Sequence, residues 1–314
     1  MQRRPQRRLS DAVIVSDPGD FHTALAALPA DAPVLPRSVF LVAPERFHVS
    51  TETAHDNPYL DTVQPADPQR AQAQFDELLR LIRSSGVAVT CFPGDPDAPD
   101  GVFPNNVFAT VPGRLIVGRM LYPGRQAEAR RKDIRAYFRT ADYEVVDLSR
   151  QDGVAELTGP LVLDRARRVG YCGMSERVDE AGLAAMHEAF DLRLTFRFDL
   201  DPREYHTNVV LSVLAARACV LYPGAFRNPA VAEAIAAAWP GRCLMLDEAE
   251  KNAFAANCIA LTDKDLFMSQ AARDALAPAK LKRLAEWGFE VHSVALDEIE
   301  KAGGSLRCMV AEIF

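Results

Sequence analysis

Short apolar runs recur along the chain, each led in by an asparagine or a glycine. Asn106 precedes 107–110, Gly159 precedes 160–163, Asn208 precedes 209–212, Asn257 precedes 258–261 and Gly304 precedes 305–308. The lead residues fall roughly fifty residues apart, and a fixed period of that size marks a repeat architecture. Each interval reads alike. The first apolar run is a strand, and a second strand follows a short turn, at 114–117, 168–171, 218–221 and 265–268. Helical patterns come next, at 125–138, 179–190, 228–238 and 271–287, and closing strands at 143–146, 195–198, 243–246 and 290–293. A first unit starts near Ser38, with a helix over 68–84 striped by Leu78, Leu79 and Ile82 and a closing strand at 87–91. The chain end, 305–314, supplies one more strand, which completes the first unit and closes a ring. The expected fold is α/β, a five-bladed propeller of ββαβ units around a central pocket. An ordinary α/β sheet with coincidental spacing is the alternative. Residues 36–314 then form one domain and residues 1–35 an extension outside the repeat. Residues 31–36 read as a linker. The Pro/Asp/Gly-rich stretch 92–101 reads as a long loop at the ring's mouth, fit for a lid or a plain surface loop.

Composition narrows the class. A chain of 314 residues exceeds the size at which a single core usually splits, unless a repeat holds it together. A formal net charge of −7 argues against a nucleic-acid binder. Arginines 3, 4, 7 and 8 make a basic start, but no apolar run follows to make a secretory or twin-arginine signal. No run of about twenty apolar residues exists to span a membrane. The six cysteines, 91, 172, 219, 243, 258 and 308, include no Cys-x-x-Cys pair. Most read as small buried hydrophobes of a reducing, cytoplasmic protein.

Cys308 stands apart, in Gly303-Gly304-Ser305-Leu306-Arg307-Cys308-Met309. His206, in Tyr205-His206-Thr207-Asn208, and Glu156, in Glu156-Leu157-Thr158-Gly159, supply a base and an acid. Together they are the parts of thiolate nucleophilic catalysis. In a ring of repeats, equivalent strand starts meet near the axis, so these distant residues can converge on one pocket.

Five runs in order, Phe103-Pro104-Asn105-Asn106, Glu156-Leu157-Thr158-Gly159, Ser175-Glu176-Arg177, His206-Thr207-Asn208 and Gly303 to Cys308, carry a family likeness. Over residues 38–314 the chain resembles the guanidine-modifying superfamily, the pentein fold of arginine deiminase, dimethylarginine hydrolase and the amidinotransferases. The ending Arg307 to Phe314 resembles its citrulline-utilisation hydrolase branch. The resemblance implies Cys308 as nucleophile and His206 as general acid/base. It gives Glu156 to the substrate nitrogen or to His206, and Arg177 to a substrate carboxylate. Relatives that process a guanidinium carry aspartates where this chain has Asn106 and Asn208. An aspartate suits a cation, whereas an asparagine offers a donor to a carbonyl oxygen and an acceptor to an N–H. The expected substrate is therefore a small ureido amino acid, citrulline foremost, or a guanidino one. No metal or organic cofactor, nucleic acid or membrane is called for, and a homodimer is compatible with the sequence. An arginine dihydrolase, an amidinotransferase and a non-catalytic pentein binder are the rival readings.

Local alternatives stand beside these roles. Asn106 and Asn208 suit strand-entry turns, Asn105 a turn support, Arg177 a surface ion pair with Glu176, Asp179 or Glu180, and Glu156 a solvated strand end. Asn257 holds the equivalent repeat position without assigned chemistry. His48, His55 and 51–54 are candidates for the pocket mouth; His22, His187 and His292 receive no role. What sets the charge state of Cys308 is left open.

Overall fold

The chain enters with β1 (Val13–Val15) and α1 (Pro18–Ala26), and the first unit supplies β2 (Ser38–Val42), α2 (Pro68–Ser84) and β3 (Ala88–Phe92). The second holds β4 (Phe108–Val111), β5 (Arg114–Val117), α3 (Pro123–Glu128), α4 (Lys132–Thr140) and β6 (Glu144–Asp147). The third holds β7 (Leu161–Asp164), β8 (Val169–Met174), α5 (Glu180–Ala189) and β9 (Leu194–Asp199). The fourth holds β10 (Leu211–Leu214), β11 (Ala218–Leu221), α6 (Pro229–Ala237) and β12 (Cys243–Met245), with α7 (Glu248–Asn252) leading onward. The fifth holds β13 (Ile259–Ala260), β14 (Asp265–Ser269), α8 (Gln270–Ala275), α9 (Pro278–Glu286) and β15 (Glu290–Val294). The chain ends with α10 (Asp297–Glu300), α11 (Leu306–Met309) and β16 (Ala311–Ile313). This computed structural model describes residues 13–52, 54, 56–95 and 97–314.

Each unit makes one small sheet. Its first strand runs antiparallel to the second, and the second runs parallel to the third across the connecting helix. The first blade takes its antiparallel strand from the chain's end: β16 pairs with β2, Ala311 opposite Phe40 and Ile313 opposite Ser38. The ring is thus closed by the last strand, and the five-bladed propeller stands. Apolar sectors weld neighbouring blades. Phe40, Phe108, Phe138, Ala311 and Ile313 join the first to the second, and Leu214, Val220, Leu266 and Met268 join the fourth to the fifth. Toward the axis, β16 meets β4, β7 meets β10 and β10 meets β13.

The repeat starts are bonded to one another in succession. The Asn208 N–H donates to the Gly159 carbonyl at 3.0 Å, the Asn257 side chain to the Asn208 carbonyl at 2.9 Å, and the Arg307 N–H to the Asn257 carbonyl at 3.3 Å. Residues fifty apart in sequence therefore touch around the axis, and this is what gathers the site.

Several boundaries differ from the sequence expectation. Residues 305–308 are not strand. Leu306–Met309 form the single turn α11 with Ser305 ahead of it, because the Cys308 N–H bonds back to the Ser305 carbonyl and the Arg307 N–H to Asn257 rather than to a neighbouring strand. Asn106 and Asn208 lie in 3-10 turns, Pro104–Asn106 and Thr207–Val209, ahead of their strands. The helix expected over 271–287 breaks before Pro278, whose ring disfavours a helical residue ahead of it and which lacks an N–H. The helix over 125–138 likewise divides into α3 and α4. Residues ahead of the repeat are built into it: β1 adds a parallel fourth strand beside β9, and α1 packs near α6. Among the described residues no helix is long and apolar enough to cross a membrane. The basic start at 3–8 lies outside them.

Candidate active site

His206 flanks the turn Thr207–Val209 in extended conformation and is fully buried. Its Nε2 lies 3.0 Å from Glu156 Oε2. Gly159 backs the ring closely enough that a Cβ there would come within 2.6 Å of it. Glu156 is equally buried, and Oε2 also receives Arg177 Nη1 at 3.2 Å while Oε1 receives the Leu121 N–H at 3.1 Å. Burial alone would raise the Glu156 carboxyl; the Arg177 charge and the His206 hydrogen bond overcome it and hold it at about 2. Burial pushes His206 below its ordinary value, although Glu156 pulls the other way. The imidazole is therefore neutral at neutral pH. It donates Nε2–H to a carboxylate that is charged at neutral pH, so the free lone pair sits on Nδ1, which is buried and has no partner among the described residues. This is the tautomer a general base requires.

Cys308 is buried beneath the same pocket. Its nearest polar contacts are Asn257 Nδ2 at 3.3 Å and Asn208 Nδ2 at 3.7 Å. Burial pushes the thiol up, and the two amides and the nearby Arg307 charge counter this only in part.

Asn57, Asp100, Asn106, Arg125, Arg177, Tyr205, His206 and Cys308 are among the residues that line the pocket, whose volume is about 20 Å³. That is room for roughly one water molecule, not an amino acid.

The sequence candidates converge, with differences in detail. The two asparagines are not equivalent. Asn208 Nδ2 is committed to the Thr158 carbonyl at 2.9 Å, which fixes its amide orientation. Asn106 faces the pocket, and its Oδ1 has no partner among the described residues. Asn105 supports the turn as expected, exchanging bonds with Thr158 at 3.2 and 3.0 Å. Arg177 is no surface ion pair: only 2% exposed, it holds Asp56 Oδ1 at 2.7 Å as well as Glu156. Its guanidinium, assigned from the sequence to a substrate carboxylate, is already occupied by the protein's own carboxylate. His48 points to the Arg46 carbonyl and Glu52 to the Gly124 N–H at the start of α3, so neither lines the pocket. Thr53 and His55 lie outside the described residues. The same loop instead brings Asp56 and Asn57. His187 is bonded to Thr195 at 2.8 Å inside the third blade.

Sequence reasoning missed four residues. Asp100, in the turn Pro99–Val102 of the 92–101 loop, is the one carboxylate among the pocket-lining residues, and burial raises its carboxyl. Arg125 is a buried guanidinium paired with Glu128 at 2.9 Å, in a stretch that the sequence marks only as helical. Tyr205 donates to the Gly303 carbonyl at 2.5 Å and pins the glycine pair that Cys308 follows; Gly303 needs its φ of 75° there. Asn257 touches the sulfur itself. A cluster with ligand atoms close enough for a metal ion, Asp265, Glu290 and His292, lies on β14 and β15 rather than in the pocket. Asp265 is already bonded to His292 at 2.7 Å and to Thr262 at 2.5 Å.

A family model for eukaryotic N,N dimethylarginine dimethylhydrolase matches residues 43–314. The chain belongs to that family. It is a cysteine-type hydrolase of linear carbon–nitrogen bonds within the guanidine-modifying superfamily. N(G),N(G)-dimethylarginine dimethylaminohydrolase of Mycobacterium tuberculosis is 27% identical over 94% of this chain and 92% of its own length. The bifunctional arginine dihydrolase/ornithine cyclodeaminase AgrE of a Nostoc species is 25% identical over 82% of this chain but only 35% of its own length. In fold, the N-terminal domain of ArgZ, an arginine dihydrolase of cyanobacteria, superposes with a TM-score of 0.76 at 22% identity, covering 88% of this chain and 97% of that one. A dimethylarginine dimethylaminohydrolase adduct with S-methyl-L-thiocitrulline gives 0.69 at 19% identity, covering 89% of this chain and all of that one.

Proposed function

We propose that this family member hydrolyses the ureido group of citrulline to ornithine, ammonia and carbon dioxide. The observation that carries the reading is Asn106, a neutral amide facing the pocket with no hydrogen-bond partner for its oxygen among the described residues. A guanidinium calls for a carboxylate there. A ureido group calls for a donor to its carbonyl oxygen and an acceptor for its N–H, and one amide supplies both. A mismatched buried polar group costs about 1–3 kcal/mol, roughly tenfold or more in preference. Asn208 Nδ2 gives one hydrogen to the Thr158 carbonyl and turns its second toward Cys308 Sγ, 3.7 Å away. The oxyanion contact is given to Asn106, whose amide faces the pocket. Asp100 would take the substrate's cationic amino group. The carboxylate would go to Arg125, or to Arg177 on displacing Asp56.

Cys308 and His206 both start neutral. The thiol proton passes to His206 Nδ1, and the sulfur attacks the ureido carbon. The terminal C–N bond then breaks, and the imidazolium protonates the departing ammonia. A thiocarbamoyl group remains on Cys308. Water, giving its proton to His206, adds to that carbon and the C–S bond breaks. The carbamate so released loses carbon dioxide to leave ornithine. Charge on the oxygen in each tetrahedral state is met by the Asn106 amide.

A second reading, arginine dihydrolase, is favoured by the likeness to the bifunctional cyanobacterial enzymes. It requires the same ureido chemistry as its second step. Ammonia and ornithine are measured with citrulline, arginine, agmatine and dimethylarginine offered separately, with Cys308→Ala as control. One ammonia per ornithine from citrulline, and no turnover of arginine, is expected. Two per ornithine from arginine would replace the first reading with the second. Turnover of arginine or dimethylarginine that stops at citrulline would sink both.

A further inference from the structure

Asn257 occupies the place in the ring one repeat after Asn208, and neither the sequence reading nor the proposed reaction uses it. Its amide orientation is fixed by the network. The Arg307 N–H points at one end at 3.0 Å, so that end is the oxygen. The other end is then the nitrogen. One of its hydrogens goes to the Asn208 carbonyl at 2.9 Å, which leaves the second for Cys308 Sγ at 3.3 Å. Every polar atom of this buried side chain is thereby assigned, and the sulfur is the one partner that is not backbone. Other donors to the sulfur are weaker or spent. Asn208 Nδ2 lies at 3.7 Å and has its shorter bond with Thr158, and His206 Nε2 is spent on Glu156.

We propose that Asn257 stabilises the thiolate of Cys308, donating one Nδ2 hydrogen to the sulfur while the rest of the amide is locked to the ring. The reacting sulfur sits where solvent is excluded and gains its charge transiently, so a preset N–H is worth more than it would be in water. The charged and titratable groups facing the sulfur are Arg307 beside it, Tyr205 and His206 from the fourth repeat's entry, and Arg125, Arg177 and Asp100 across the pocket. Tyr205 is held neutral by burial, and the arginines are paired with Glu312, Glu128, Asp56 and Glu156. Asn257 is then the uncharged donor dedicated to the thiolate.

The inference rests on Cys308 being the nucleophile but not on which substrate it attacks, so its own readout, alkylation, uses no substrate. The rate of Cys308 alkylation by iodoacetamide is followed by peptide mass spectrometry on the intact protein across pH 7 to 10. Opening of the pocket scales a variant's rate alike at every pH, so the displacement of its profile along the pH axis is what reports the thiolate. Asn257→Asp keeps an oxygen for the Arg307 N–H but turns lone pairs toward the sulfur. Its Cys308 alkylation rate should fall by more than tenfold, with the pH profile displaced to the alkaline side. Asn257→Ala, which removes the donor without adding charge, should fall about tenfold, one hydrogen bond's worth. It serves if the aspartate variant does not fold. Profiles that superimpose on wild type in a folded variant, even one of lowered melting temperature, would overturn the proposal. Turnover retained by Cys308→Ala would instead remove the nucleophile reading and this inference with it.

Discussion

Glu156 divides one carboxylate among three donors, and its charge is what makes the neighbouring histidine a base. Oε1 takes the Leu121 N–H, while Oε2 takes both His206 and Arg177. Replacing it by glutamine keeps the shape but loses the charge. His206 then loses the influence that raises its affinity for a proton, so the acid limb of kcat/KM, already below the ordinary histidine value of about 6.5, should move further to acid. The imidazolium formed in each half-reaction also loses its counter-charge, and kcat should fall by about 10²–10⁴-fold. Stability follows the sign of the Glu156 shift. A folded value of about 2, below the ordinary carboxylate value near 4.3, means the stabilisation is whole above that ordinary value and disappears as pH falls toward 2. The difference in urea midpoint between wild type and Glu156→Gln should therefore be full at pH 6 and shrink steadily between about pH 5 and 2. A difference independent of pH would mean that the carboxylate's charge does not stabilise the fold.

At the scale of elements, what could be read from the sequence depended on whether the deciding force was local. Helix α2 falls where its apolar stripe of Leu78, Leu79 and Ile82 put it, near 68–84; Asp67 caps the N–H groups of Gln69 and Arg70 at 2.9 and 3.2 Å. Replacing Asp67 by alanine should cost about 0.5–2 kcal/mol in chemical denaturation with kcat unchanged, since the cap lies on the outer helix. A lost kcat would mean that α2 is coupled to the pocket. The strand starts were legible only to within a few residues. An apolar run shows where a strand can form, but the 3-10 turns that carry Asn106 and Asn208 are set by the contacts of neighbouring blades. The same limit explains the site. Cys308, His206 and Glu156 are unusual residue types at repeat starts and stood out. Arg125 and Asp100 have ordinary surroundings in sequence, and only the fold turns them inward. Asn257 was visible as a repeat position but not as a sulfur partner, because that role depends on the Arg307 N–H orienting its amide across the ring.

For the whole molecule, ring closure has a thermodynamic consequence. A linear array of repeats has ends that can fray and seams that can open one at a time. Here the last strand, β16, pairs with β2 of the first blade, and the seam between first and second blades is stitched by Thr110. Its hydroxyl donates to the Glu312 carbonyl at 2.9 Å and accepts the Phe314 N–H at 2.9 Å. The Phe314 carbonyl in turn takes the Tyr143 hydroxyl at 2.5 Å and Arg37 at 2.8 Å. Thr110→Val removes both hydroxyl bonds at nearly constant volume and leaves a buried N–H and a carbonyl unsatisfied. A loss of about 1–3 kcal/mol per unsatisfied group is expected. In a closed ring that loss cannot be confined to one blade, because opening this seam exposes the apolar sector of Phe40, Phe108 and Phe138 and frees the strand that follows Cys308. The variant should therefore melt in one cooperative calorimetric transition, several degrees below wild type, with activity and folded signal lost together. Two separated transitions, one of them leaving His206 and Cys308 reactive, would mean that the blades are held by their own cores and that closure contributes nothing to cooperativity.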